Sequence, residues 1–124
     1  MSDLTDSKII DGNIAYFLFK KGAGPQDFQE IFPDFQAKVQ DPKVDRMIVD
    51  VQMDDAWGKD IQQVWLQTGD VADQAGIKRW GVVTVEPSKK MTINHLIKGG
   101  RDRTRSYEGY VSDNLDDVLN WIKS

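Results

Sequence analysis

Eight basic residues and two acidic ones lie between positions 77 and 105 of a chain whose formal net charge is −4. The flanking stretches are acidic: positions 1–76 hold seven basic and fourteen acidic residues, and positions 106–124 hold one and four. A positive block inside an acidic chain is suited to seat an anion. Ser88, Lys89 and Lys90 sit where a helix is expected to start, and helix N-termini point N–H groups at phosphate or carboxylate. Arg101, Arg103 and Arg105 alternate with Asp102 and Thr104, so an extended segment would put three guanidiniums on one face. The competing reading is a solvated basic loop that pairs with acids elsewhere. Gly99-Gly100 lacks the frame of a phosphate-binding loop. Nucleic acid is not an expected partner, because the field of the whole chain repels phosphate.

Other chemistry-bearing residues are few. The Asp54-Asp55 pair could hold a hard cation or act as an acid–base dyad, but no third ligand is identifiable, and capping of the helix that follows is the better reading. His95 is the single histidine and has no catalytic company, so a partly exposed helix histidine is expected. The chain has no cysteine, which removes disulfides and thiolate metal sites and fits a cytoplasmic address. Four tryptophans stand out. Trp65 falls on an apolar stripe and Trp121 beside one. Trp57 and Trp80 fall at element ends, where one ring face could stay wet and wall a site for an apolar ligand, although core packing competes with that role. No catalytic constellation, metal set or cofactor motif is visible.

The elements that must position these residues alternate. Lys8-Ile9-Ile10, the turn Asp11-Gly12-Asn13 and the run Ile14 to Phe19 read as a hairpin, with positions 1–7 frayed. Phe28, Ile31, Phe32, Phe35 and Val39 form a helical stripe behind Pro25, with Pro33 expected to kink or split it. Strands follow at 47–51, 80–85 and 107–111. Between them lie a long helix with Ile61, Val64, Trp65, Thr68 and Ala72, stopped by Gly76, and a helix capped by Ser88 that carries Met91, His95 and Leu96. A last helix, capped by Ser112 or Asp113, carries Leu115, Val118, Leu119 and Ile122. A β-α alternation through 124 residues specifies one α/β domain with a mostly parallel sheet of four or five strands. No run approaches the roughly 20 apolar residues of a membrane span, and the first six residues lack the basic and apolar regions of a signal peptide.

The ordered set of pieces resembles the SpoIIAA-like family, small domains related to sulphate-transporter and anti-sigma-factor-antagonist (STAS) domains. The matching pieces are the proline-interrupted helix, the strand ending in Ile48-Val49-Asp50, the Trp loop Asp55-Ala56-Trp57-Gly58, a Val-Val strand, and the tail from Tyr110-Val111-Ser112-Asp113 to Trp121-Ile122. The resemblance implies a βα superhelical sandwich without catalytic residues. In the STAS branch the loop after the second core strand carries a phosphorylatable serine. Here that loop, positions 53–58, has no Ser or Thr. Ala56 or Trp57 stands where the hydroxyl belongs, so a phosphorylation switch is not expected there.

The expected function is a non-catalytic binding or regulatory domain. One form binds an apolar-anionic small molecule or a lipid head group between Trp57, Trp80 and the basic residues Ser88, Lys89, Lys90, Arg101, Arg103 and Arg105, with membrane-surface contact as a variant. The other is a protein-interaction module acting through the loop Asp54, Asp55, Ala56, Trp57 and Gly58 and the long helix. A homodimer is expected.

Overall fold

A computed structural model describes residues 3–54, 56–98 and 106–124. The elements are strands β1 (Thr5–Ile10) and β2 (Ile14–Phe19), helix α1 (Pro25–Val39), β3 (Arg46–Val51), α2 (Lys59–Ala75) and β4 (Arg79–Thr84). A 3₁₀ turn (Pro87–Lys89), α3 (Lys90–Ile97), β5 (Glu108–Ser112) and α4 (Leu115–Lys123) complete the chain. The five strands form one sheet in the order β1-β2-β3-β4-β5. β1 pairs antiparallel with β2, and the remaining pairs are parallel. The α/β class and the mostly parallel sheet therefore follow the alternation of apolar runs and helical stripes.

Strand alternation sorts the core into two layers. Phe17, Phe19, Val49, Val51, Trp80 and Val82 point to the face covered by α1, α2 and α3. Ile14, Tyr16, Ile48 and Val83 point the other way, against Val118 and Ile122 of α4. The two faces thus carry unequal cover, three helices against one short helix. α4 is held at close range because Gly81 has no side chain. A Cβ there would lie 2.4 Å from Val118 Cγ1. Gly109 admits Ile97 of α3 on the opposite face in the same way.

Several local expectations change. Thr5 to Ser7 pair with Phe17 to Phe19, so the hairpin starts within the segment expected to fray. The turn at Asp11-Gly12-Asn13 forms as expected, with Asp11 and Gly12 at positive φ. Pro33 does not split α1: it lies on the solvent face, where water can satisfy the carbonyl that loses its helical partner. Gly24 and Pro25 start that helix, and Asp27 reaches back to accept from the Gly24 N–H at 2.7 Å. Gly76 ends α2 at φ 85°, as read. Val85 is 47% exposed because β4 ends at Thr84. Ser88 does not cap α3; it lies in the 3₁₀ turn, and α3 starts from Lys89 without a side-chain cap. Ile93, Leu96 and Ile97 form its inner face, whereas Met91 is 88% exposed. Asn114, and not Ser112 or Asp113, caps α4, accepting from the Asp117 N–H.

Gly81→Ala is expected to force α4 off the sheet and to lower stability by about 1–3 kcal/mol, the usual cost of overpacking. Denaturant unfolding checks it. An unchanged midpoint would mean that α4 does not rest on β4 at this distance.

Candidate functional site

Of the basic residues that the structure describes, Lys89, Lys90 and Lys98 each meet a group of the protein. Ser88 is exposed. Lys89 pairs with Glu86 at 3.0 Å. Lys98 donates to the Tyr107 carbonyl at 2.7 Å. The Lys90 ammonium stands 5.8 Å from the centre of the Tyr110 ring. Arg101, Arg103 and Arg105, with Gly99 and Gly100, lie outside the described residues. Lys90 opens onto a shallow recess of about 180 Å³ that it shares with Tyr110, Ser112, Asp113 and Asp117. Tyr110 donates to Asp117 at 2.7 Å. That bond, then one from Ser112 and then the charge of Lys90, holds the Asp117 carboxyl below the usual range. The same bond pushes the Tyr110 phenol up. Two carboxylates in one recess oppose an anion there.

The expected aromatic wall does not form. Trp57 is 2% exposed and Trp80 is 0% exposed, so neither ring keeps a wet face. Both pack on Trp65, with ring centres 4.6 and 6.4 Å away. The Trp57 N–H donates to the Thr84 hydroxyl at 3.1 Å, which pulls the ring under the sheet end. The structure brings these two rings together through Trp65, inside the core. His95 is exposed, as read.

In the loop at 53–58, Asp54 is exposed, Asp55 lies outside the described residues, and Ala56 and Trp57 are buried. The helix N-cap is Gly58, with no side chain bonded to it, so Asp54 does not cap α2. Asp54 instead borders an open cleft of about 340 Å³ between the N-termini of α1 and α2, together with Gly24, Pro25, Gly58 and Asp60. Among the described residues no group of three or more His, Cys, Asp or Glu gathers to hold a metal. No helix among them is long and apolar enough to cross a membrane.

Two features escape sequence reasoning. The first is Asp50, 5% exposed on the α4 face of the central strand. Tyr16 on the neighbouring strand donates to it at 2.6 Å, and Gln52 donates to its other oxygen. Burial, then this bond and the charges of Asp50 and Asp6, push the Tyr16 phenol well above its usual range. The available signal is one acid inside an otherwise apolar strand. The second feature is a groove between α1 and α2. Its walls are Phe28, Phe32, Val64, Val71 and Ala75, and its rim is Gln29, Gln36, Gln40, Gln67 and Gln74. Open recesses of about 230 and 370 Å³ lie along it. Deeper in, Phe35, Trp65 and Thr68 close the space to about 20 Å³, room for a water but not for a ligand. The signal is glutamine recurring at helical steps beside an apolar stripe.

No protein-family model matches this chain, and no curated protein and no solved structure is detectably similar to it.

Tyr16→Phe leaves Asp50 buried with Gln52 alone and is expected to cost about 1–3 kcal/mol. The raised phenol also sets a pH dependence. The folded state holds this proton more tightly than the unfolded chain, so its stabilisation is complete below the ordinary phenol range near pH ~10 and is lost as pH rises above it. Unfolding measured against pH should show that alkaline loss in the wild type and a weaker one in Tyr16→Phe. Equal slopes would place the ionisation elsewhere.

Proposed function

We propose that this chain is a non-catalytic interaction module of SpoIIAA-like, STAS-related build that docks protein surfaces through the outer side of α1 and α2. Support for the build comes from the sequential strand order and from three crossover helices stacked on one face. Support for docking comes from one observation: the α1–α2 groove is apolar at its walls, uncharged at its rim and open to solvent. Partly exposed Phe32, Val64 and Val71 give it the composition of a contact surface and not of a solvated face.

The alternative, an apolar-anionic ligand held by an aromatic wall, loses its two principal side chains to the core. Switching by phosphorylation at 53–58 has no hydroxyl to use. The reading therefore keeps the long helix as the docking element and drops the Trp57 loop, whose Ala56 and Trp57 are buried. A cytoplasmic address fits a chain without cysteine.

The test places a photo-crosslinking residue at Gln67 on the groove rim or at exposed Asn120 on α4, in cells of the source organism. Position 67 is expected to give discrete protein adducts that disappear when Phe32→Glu is added, and position 120 to give none. Equal labelling from both positions, or adducts indifferent to Phe32→Glu, would remove the groove from the reading. A small molecule that co-purifies in native mass spectrometry would restore the ligand reading.

A further inference from the structure

Resting on the docking reading above, we propose that the partner of the α1–α2 groove is the same groove on a second copy of this chain, related by a two-fold axis. Charge carries the argument. Two copies each bear −4 and repel at a distance, so a surface set against itself is favoured where it presents no charge. The groove is such a surface. Its walls and rim, from Phe28 to Gln40 on α1 and from Val64 to Ala75 on α2, include no Asp, Glu, Lys or Arg. Glu30, Asp60 and Asp70 on the same helices are not part of its lining, and Asp60, one turn before Val64, borders the separate cleft at the helix N-termini.

The rim chemistry selects a copy over other partners. A two-fold axis sets each surface against itself, so a charged rim would face its own sign. A glutamine amide carries donors and an acceptor on one side chain, so a row of glutamines complements another row of glutamines. A partner with a charged surface would leave its charges unpaired here, and an anionic membrane would be repelled by the chain as a whole.

Helix direction agrees. α1 and α2 both run from the carboxyl ends of parallel strands back to the amino ends of the next, so they are parallel and their dipoles add. A two-fold axis set across the helices lays an antiparallel helix pair over them, which opposes the dipoles favourably, whereas an axis along the helices would not. Size sets the strength. The stripe is about 16 Å long and about two helix widths across, roughly 300 Å² per copy. A standard interface buries about 800 Å² per partner, so the pair is weak and depends on concentration.

Sedimentation across a wide concentration range tests this with three proteins. The wild type should shift from one chain toward two. Gln67→Lys/Gln74→Lys and Gln67→Glu/Gln74→Glu should each self-associate at least tenfold more weakly, since like charges then face each other. An equimolar mixture of the two should pair again. Both substituted positions are exposed, so all three proteins should share one unfolding midpoint. Added salt should strengthen the wild-type pair by screening the repulsion between copies. A wild type that stays single throughout overturns the proposal. So do a dimer indifferent to the rim charges and a dimer weakened by salt. If the wild type stays single while position 67 still crosslinks to other proteins, the docking reading stands and the second copy falls. If neither is seen, both fall.

Discussion

Trp65 joins the layer of three helices to the sheet. Its ring meets Phe28 edge-on at 4.9 Å, Phe19 edge-on at 6.2 Å, and Trp57 stacked at 4.6 Å. Its N–H donates to the Ala56 carbonyl at 2.7 Å. One side chain thus sets the depth of α2, the approach of α1 and the path of the loop between β3 and α2. Trp80 and Tyr107 continue the line of rings to the far edge. Truncating a buried aromatic of this size removes about 3–5 kcal/mol, a large share of the stability of a small domain. The rings that could have walled a ligand site are therefore the ones the core requires. The outside of the helices that they hold down stays open to solvent.

The opposite face depends on ends more than on area. α4 has nine residues, too few to be stable alone. Its first turn is capped by Asn114. At its other end Arg46 donates to the Ile122 carbonyl at 2.6 Å, and Arg79 donates to the Trp121 carbonyl at 2.9 Å. Guanidiniums at a helix C-terminus satisfy orphan carbonyls and complement the dipole. Arg79 also lies over the Trp121 ring, which stacks on Tyr110, which in turn faces Lys90. Much of the basic block at 77–105 is thereby engaged in structure. Arg79 clamps α4, Lys89 holds Glu86, Lys90 faces Tyr110, and Lys98 ties α3 to Tyr107.

The fold was legible where a signal depends on one residue and its near neighbours. Continuous apolar runs marked the three inner strands, stripes at three and four marked the helices, and Gly76 marked a stop. Val85 was misplaced by a single residue because nothing in the run Val82 to Val85 marks where pairing ends. Trp57 and Trp80 were misjudged because exposure at an element end depends on what other elements bring there, and here Trp65 and Thr84 arrive from distant positions. Ser88 suits a cap by type, but the 3₁₀ turn shifts the helix start past it. The groove was silent because glutamine carries no charge to count and its partner stripe lies on another helix. Asp50 was visible as a strand end, but its bond to Tyr16 depends on register.

Strand order limits where any partner can bind. In doubly wound sheets the order reverses, helices leave to opposite faces, and a crevice opens at the carboxyl ends between them. Here each strand lies beside its predecessor and α1, α2 and α3 cover the same face, so the sheet has no reversal to open such a crevice. The first edge strand is guarded too. Asp6 accepts from the Ser7 N–H at 2.9 Å, and Asp6 and Lys8 place charge along β1, both of which discourage strand addition. With no switch-point crevice, this edge blunted and α4 closing the sparse face, the described residues stay open to contact at the cleft between the α1 and α2 N-termini, along the β5 edge and over the broad helical layer. On that layer the seam between α1 and α2 combines apolar walls with an uncharged rim.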